Sequence, residues 1–514
     1  MHRLGPIRGG RGERERAETG KVLLTGASGF LGKVVLARLL ALGDRVGPLV
    51  LLLRAADDAA AGRRVREEIL GSEALGSEER ERLRAGLDAG RVTVVAGDLA
   101  GEDLQAVPLE AWAGVGTVVH CAATVSFEEP LHEAMATNAL GPIGLLEAVR
   151  RAGSEPRFVH VSTAYAADCS GARVREEAAA HPGLEDLEPG KMLEEARGWR
   201  EAVEAESRQD GRRRRLERAA ARDAATRPGI DAGPRAERLR ERWAEHRLGE
   251  IGRDYAVSAG WPDTYALTKA LGERLLAESC ERLTIVRPTI IESSLRQPRP
   301  GWLEGIKVAD PLILAYAGGA LTHLPAQETN LIDIVPVDCV ANACVAAALY
   351  PGEREPRVLA VASTARNPLQ IGQLGRHVQS YFTREPLSSG KAREIPDLNY
   401  VDRSSALRAA RRRQRIAAAG ARAASAPFLS RRTESKLRKL EFLAGQITRM
   451  VAIYAPYTEL NVVFDDANLC ALAERMSPED RQLLPFDVAA FDWTGYLEGI
   501  HLPEVRRMAR ERSK

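Results

Sequence analysis

Short apolar runs alternate with amphipathic ones along the first two thirds of the chain. KVLLTG (21–26), PLVLLLR (48–54), RVTVVAGDL (91–99), GTVVHCAA (116–123), RFVHVSTAY (157–165) and LTIVRPTII (283–291) are nearly continuous apolar stretches. Strands covered by helices on both faces have this pattern. FLGKVVLARLLAL (30–42) and YALTKALGERLL (265–276) carry apolar residues at helical spacing instead. Strands alternating with helices predict an α/β fold, a doubly wound parallel sheet with right-handed crossovers.

The rhythm is interrupted between about 170 and 260 by a stretch rich in Arg, Glu and Ala. It reads as a helical insertion: either a pair of exposed charged helices or a lid over a substrate channel. After about 350 the rhythm fades. The predicted organisation is therefore a nucleotide-binding sheet domain over 20–350 and a smaller, mostly helical domain over 351–514. Residues 1–19 lack the apolar core of a secretory signal. They are read as a disordered tail, and a cytoplasmic location is the default expectation.

Composition narrows the classes. Hydrophobic residues make up 45% and charged residues 28%, which excludes a wholly disordered chain. No apolar stretch approaches the roughly 18–20 residues of a membrane span. The 73 basic and 71 acidic residues nearly cancel, so no nucleic-acid partner is expected. Only nine of the basic residues are lysine, which gives weight to a lysine at mechanistic spacing. The six cysteines form no CxxC pair, so neither a zinc ribbon nor a disulfide framework is indicated, and no metal site is expected. Residues 403–439 hold twelve Arg/Lys and one acid, Glu434. Such a block is either a solvated segment or a surface for an anionic (inner) membrane or for the phosphates of a nucleotide-tailed substrate. No feature of the sequence sets an oligomeric state.

The chemistry begins at TGASGFLG (25–32), where a strand turns into a helix. Gly26 permits the tight turn, Gly29 the approach of a pyrophosphate, and Gly32 close helix packing. Thr25, Gly26, Ser28, Gly29, Phe30, Leu31 and Gly32 are thus candidate cofactor contacts in a Rossmann-type site. The second strand closes on Arg54, where an NAD site would carry an acid. A guanidinium suits a 2′-phosphate, so NADPH is the expected cofactor; the alternative is that Arg54 only makes a surface ion pair. Asp98 and Leu99 are placed beside the adenine, and Ala122, Ala123 and Thr124 on the ribose side.

Tyr265 and Lys269 share a helix face at i, i+4. A cation there, with an oxidised nicotinamide nearby, is expected to lower the phenol pKa from about 10. The tyrosine then exchanges a proton with a carbonyl oxygen, and a hydroxyl from the fifth strand, Ser162 or Thr163, holds that oxygen.

These stretches together resemble the extended short-chain dehydrogenase/reductases. Within them the chain is similar to the fatty acyl-CoA reductases related to plant male-sterility proteins. The resemblance is carried by TGASGFLGKVVLARLL, LLLR, HCAATVSF, VHVSTAYA, YALTKALGE, VRPTIIESSLRQPRPGWLEG and LIDIVPVDCVANACVAA, spanning most of 21–350. FDWTGYLEGIHLPEVRR (491–507) is similar to the end of the bacterial members' smaller domain. The resemblance implies Tyr265 and Lys269 as the catalytic pair, with Thr163 as their hydroxyl partner and Ser162 as second choice. It implies that Asn138 supports the lysine through water. It implies that Pro288 and Thr289 pass the nicotinamide, and that about 290–340 holds the acyl substrate. The implied reaction is reduction of a long-chain acyl-CoA by NADPH to an aldehyde and then an alcohol, with release of CoA. The long Arg-rich insertion before Tyr265 departs from the pattern and bears on access and chain length. Three rivals stand beside this reading: an acyl thioester reductase that stops at the aldehyde or acts on carrier-bound acyl groups, a sugar-nucleotide epimerase or dehydratase, and a non-catalytic NADP-binding or membrane-surface scaffold. Cys121 and Cys169 near strand ends leave a covalent acyl-enzyme as a minor route.

Overall fold

The apolar runs become strands because their side chains are buried on both faces. The computed structural model describes residues 19–512 except 102, 179–180, 227–228, 230, 307–308, 353–355, 388–393 and 424–430. The expected tail lies outside these apart from Thr19. Thr19 is buried, and its carbonyl accepts a hydrogen bond from Thr117 Oγ1 at 3.0 Å.

Seven strands form one sheet: β1 (Lys21–Thr25), β2 (Leu49–Leu53), β3 (Val92–Ala96), β4 (Val115–His120), β5 (Arg157–Val161), β6 (Leu283–Pro288) and β7 (Arg357–Val361). Their order is β7-β6-β5-β4-β1-β2-β3, and every pairing is parallel. The chain reverses its direction of travel across the sheet at β1, so a crevice opens beyond the carboxyl ends of β1 and β4. Alternate residues of β1 serve opposite faces. Val22 and Leu24 belong to the core beneath α1 (Phe30–Leu42), and Leu23 to the core on the other face, with α2 (Gly141–Arg151). A sheet domain ending at 350 leaves out β7, which pairs Val358 with Ile285 of β6. The sheet therefore runs on to Val361. RVLAV lies beyond the last βα alternation visible in the sequence, and only its pairing with β6 places it in the sheet.

The insertion forms three helices where a pair was expected: α3 (Pro189–Ser207), α4 (Asp210–Thr226) and α5 (Ala232–Ser258). α3 and α5 share a small core of Val203, Ala244 and Leu248, and the Arg212 guanidinium of α4 sits 3.9 Å from the Trp243 ring of α5. The chain then enters α6 (Thr264–Ser279) and β6. α7 (Val337–Leu349) is buried along its whole length against the sheet. In the C-terminal part, α8 (Arg403–Ala423) packs along α9 (Arg431–Thr458).

One ion pair fixes α6 on the sheet. Arg287 of β6 donates from Nε to Glu273 Oε1 at 2.9 Å, and from Nη1 to the Glu177 carbonyl at 3.0 Å. Both side chains are buried. Removing one partner leaves an uncompensated buried charge, at a cost of about 3–5 kcal/mol. Arg287→Ala is therefore expected to lower Tm by several degrees in a calorimetric scan. An unchanged Tm would show that the pair does not hold the helix.

Candidate active site

The Gly-rich turn has the geometry its spacing predicts. Gly26 has φ +71°, and a Cβ there would lie 2.7 Å from the Ala122 nitrogen. A Cβ on Gly32 would lie 2.0 Å from the Gly26 carbonyl. Gly29 is exposed and precedes α1, whose first turn has no acidic residue and no side-chain cap. The free N–H groups of that helix end suit an anion. A dinucleotide pyrophosphate fits this cradle.

Arg54 is exposed on the rim of a cleft of about 680 Å³, which Leu99, Leu140, Arg151, Arg197 and Arg200 also line. Arg197 and Arg200 come from α3, so the insertion borders the cleft. Arg64 was not singled out from sequence. Its Nη1 donates to the Arg54 carbonyl at 2.7 Å, and its Nη2 donates to Ser28 Oγ at 3.1 Å and to Glu68. It thereby joins the end of β2 to the Gly-rich turn. Asp98 caps its own loop by accepting from Ala100 N at 3.0 Å. Phe30 stacks on Trp302, with ring centroids 5.1 Å apart, which brings the expected acyl segment against the turn.

Tyr265 stands in the first turn of α6, which Asp263 caps by accepting from Ala266 N at 2.9 Å. Thr163, just beyond the end of β5, lies close enough to the phenol to counter the rise in its pKa, whereas the buried Ser162 hydroxyl has no partner among the described residues. The geometry thus favours Thr163 of the two candidates. The phenol pKa departs from the lowering expected. Desolvation and the Asp263 charge push it above its usual 10, and the Thr163 hydroxyl opposes them. Lys269 is not among the groups that move it. A phenol held protonated is suited to donating a proton.

Lys269 is buried, and Nζ donates to His160 Nε2 at 3.3 Å. Burial lowers its pKa to about 8, against the charge of Glu273. His160 in turn stacks on His120 at 5.3 Å, and His120 Nδ1 hydrogen-bonds Thr25 Oγ1 at 2.9 Å. The two imidazoles are kept neutral, His120 at about 3 and His160 well below its usual value, by burial first and by the nearby ammonium. A line of side chains therefore runs from the Gly-rich turn to the lysine. Neither histidine was singled out from sequence, yet they occupy paired register positions in β4 and β5.

Asn138 lies in a π-helical stretch, Met135–Leu140, and is fully buried. It accepts from Thr124 N and donates to Thr124 O, both at 3.0 Å, and donates to Thr268 Oγ1 at 3.1 Å. Its side chain thus clips the loop after β4 to α6, and its hydrogen bonds among the described residues go to Thr124 and Thr268, not to Lys269. Ala122 and Ala123 sit in that loop, half-buried. Ala122 donates its N–H to Thr25 Oγ1 at 3.1 Å. Pro288 ends β6, and Thr289 Oγ1 donates to Asp333 Oδ1 at 2.7 Å, so that hydroxyl is committed to the scaffold.

Aromatic rings wall the phenol. Phe127 lies 6.1 Å from Tyr265 and stacks on Tyr457 at 5.2 Å, with Tyr454 edge-on at 5.8 Å. The Tyr457 hydroxyl donates to Asp263 Oδ2. Helix α9 thereby closes the site from the C-terminal side. The thiols of Cys121 and Cys169 are pushed up to about 12, mainly by burial, which disfavours thiolate chemistry.

A parallel sheet with a phosphate cradle at its crevice, and a Tyr–Lys–Thr group beside it, defines a nucleotide-dependent reductase of the short-chain type. Two solved structures share the fold. The terminal R domain of the myxalamid biosynthetic pathway superposes with a TM-score of 0.53 at 16% identity, covering 97% of this chain and 90% of its own. The reductase domain of a non-ribosomal peptide synthetase from Mycobacterium tuberculosis gives 0.52 at 18%, covering 96% and 92%. The chain belongs to the male sterility protein family, whose two models match residues 24–344 and 424–508, and within it to the fatty acyl-CoA reductases. It is 30% identical to the alcohol-forming fatty acyl-CoA reductase of Simmondsia chinensis, covering 94% of this chain and 96% of the relative. It is also 30% identical, over the same shares, to probable fatty acyl-CoA reductase 4 of Arabidopsis thaliana. Mouse fatty acyl-CoA reductase 1 is 27% identical, over 94% and 84%. These relatives are eukaryotic and give no support to a specifically bacterial member.

Two predictions follow from the lysine and the hydroxyls. With Lys269 titrating near 8, kcat/KM for reduction is expected to fall as pH rises through 8, because the ammonium is lost. Stability has the opposite sign: between about 8 and the unfolded value of about 10.4 the unfolded chain binds more protons, so this group makes ΔG of unfolding rise with pH. A flat activity profile to pH 10 would contradict the assignment. Thr163→Ala is expected to cut kcat about 100-fold or more, and Ser162→Ala less than about tenfold. The reverse order would exchange their roles.

Proposed function

We propose that this protein reduces long-chain fatty acyl-CoA with NADPH to the fatty alcohol, through the aldehyde, releasing CoA. The observation that carries the reading is the group of two hydroxyls, Tyr265 and Thr163, with Lys269 one helical turn from the phenol, in a chain of this family that also holds a phosphate cradle. When bound, NADPH supplies hydride to the carbonyl carbon. Tyr265 gives its proton to the carbonyl oxygen, with Thr163 holding that oxygen as charge develops. The thioester thus becomes a hemithioacetal, which collapses to aldehyde and CoA thiol. Once solvent has reprotonated the phenol and a second NADPH has replaced NADP+, a second hydride and a second proton from Tyr265 would give the alcohol. Lys269 holds positive charge beneath the phenol, and His160 fixes its direction. Arg54 and Arg64 are our choice for the 2′-phosphate, which favours NADPH over NADH.

The site is tested with Tyr265→Phe. Turnover of palmitoyl-CoA should fall by about 1000-fold or more, while NADPH binding measured by fluorescence stays unchanged. Unchanged turnover would return the non-catalytic scaffold. Arg54→Ala and Arg64→Ala should each weaken NADPH far more than NADH; equal effects would refute the 2′-phosphate contact.

We also propose a peripheral contact of the α8–α9 pair with an anionic membrane from the cytoplasmic side. Ile416, Leu440, Phe442 and Leu443 are exposed next in sequence to the exposed Arg411, Arg412, Arg415 and Lys439. Basic and apolar groups on one surface suit an anionic lipid interface. Among the described residues no helix is long and apolar enough to cross a membrane. Replacing Arg411, Arg412 and Arg415 by Ala should abolish sedimentation with phosphatidylglycerol vesicles. Undiminished sedimentation would sink the proposal.

A further inference from the structure

Three donors from distant parts of the chain meet in the interior, none of them a group assigned to hydride transfer. Glu292 ends the short strand Ile290–Glu292, Asp310 opens the helix Asp310–Ala317, and His501 directly precedes the helix Leu502–Glu511. Their exposures are 1%, 0% and 1%. One ligand atom from each lies within 4.8 Å of the other two, and His501 Nε2 is 3.2 Å from Asp310 Oδ1.

The outer atoms of two of these side chains are already engaged. Ala309 N donates to Glu292 Oε1 at 3.3 Å, and His501 Nδ1 pairs with Ser293 Oγ at 3.0 Å. Ser293 is itself fixed, since the Tyr496 hydroxyl donates to its carbonyl at 2.7 Å. This leaves Glu292 Oε2 and His501 Nε2 in the cluster, both buried and, among the described residues, without a hydrogen-bond partner of good geometry. A buried imidazole oriented through its Nδ1, with its Nε2 turned toward carboxylates, is the arrangement by which proteins hold a histidine ligand to a metal. Buried carboxylates are either paired, protonated or bound to a cation.

We propose that Glu292, Asp310 and His501 bind one divalent transition-metal ion, with zinc the first choice. Two carboxylates and one imidazole suit zinc or manganese. Magnesium is a poorer match because it prefers all-oxygen, partly hydrated sites. The ion would act as a clasp. Two of its ligands lie in the segment that follows β6, and the third lies near the C-terminus, so coordination ties that last segment to the sheet domain. The sequence gives no warning of it, because the donors stand at 292, 310 and 501 with no local spacing.

The test uses the full chain, purified without chelator and without an immobilised-metal column. Metal per chain is measured by mass spectrometry. Chelator-treated protein is then titrated calorimetrically with ZnCl2 and with MnCl2, and Tm is followed throughout. One equivalent per chain is expected, with Tm lowered by chelation and restored by Zn2+. Glu292→Gln, which keeps the side-chain shape, should weaken binding at least about tenfold. His501→Ala should abolish it. No bound metal, with no response of Tm or heat to either ion in the folded wild type, would overturn the proposal and leave a proton-sharing acid pair in its place. Undiminished binding by folded Glu292→Gln would overturn it as well.

Discussion

Three polar side chains spaced four apart on one helix organise this protein. Tyr265, Lys269 and Glu273 line a single face of α6, and that face meets the sheet. Tyr265 reaches Thr163 at the end of β5, Lys269 reaches His160 within β5, and Glu273 reaches Arg287 of β6. A polar stripe buried against a parallel sheet is tolerable only where each member finds a partner. Here each does, so the helix has one seating. The phenol is thereby placed at the carboxyl end of β5, on the same edge of the sheet where the Gly-rich turn leaves β1.

Close packing makes that seating possible. A Cβ on Gly272 would lie 2.4 Å from the Asn138 carbonyl, so only glycine allows α6 to approach the π-helical stretch there. Asn138 uses the approach to join Thr268 to the loop after β4. The C-terminal part completes the enclosure from outside, through Tyr457 on the helix cap Asp263 and Phe127 between the two. The reductase site is thus built by the sheet domain and shut by α9.

Six of the seven strands were legible in the sequence because double-sided burial writes a continuous apolar run. The Gly-rich turn and the Tyr–Lys pair were legible because both are local: their spacing is set by one turn and by one helix. Other features were not legible, for one physical reason. His120, His160, Arg64, Phe127, Tyr454 and Tyr457 act across contacts that join distant stretches, and no spacing records them. The histidine pair appears only once β4 and β5 are set in register. The expected lowering of the Tyr265 phenol was reasoned from a helix neighbour and the cofactor alone; the burial and the Asp263 charge that push it up come from the folded surroundings. Asn138 was expected to support the lysine through water, and its side chain makes its hydrogen bonds to the loop at Thr124 and to Thr268.

The central claim is a four-electron reduction at one site. It is tested most directly by counting NADPH consumed, CoA released and alcohol formed in the same tube with palmitoyl-CoA. The account predicts two NADPH and one alcohol for each CoA. One NADPH per CoA with aldehyde accumulating would contradict the second reduction. No oxidation with any acyl-CoA, but turnover of an acyl group on a carrier protein, would contradict the substrate.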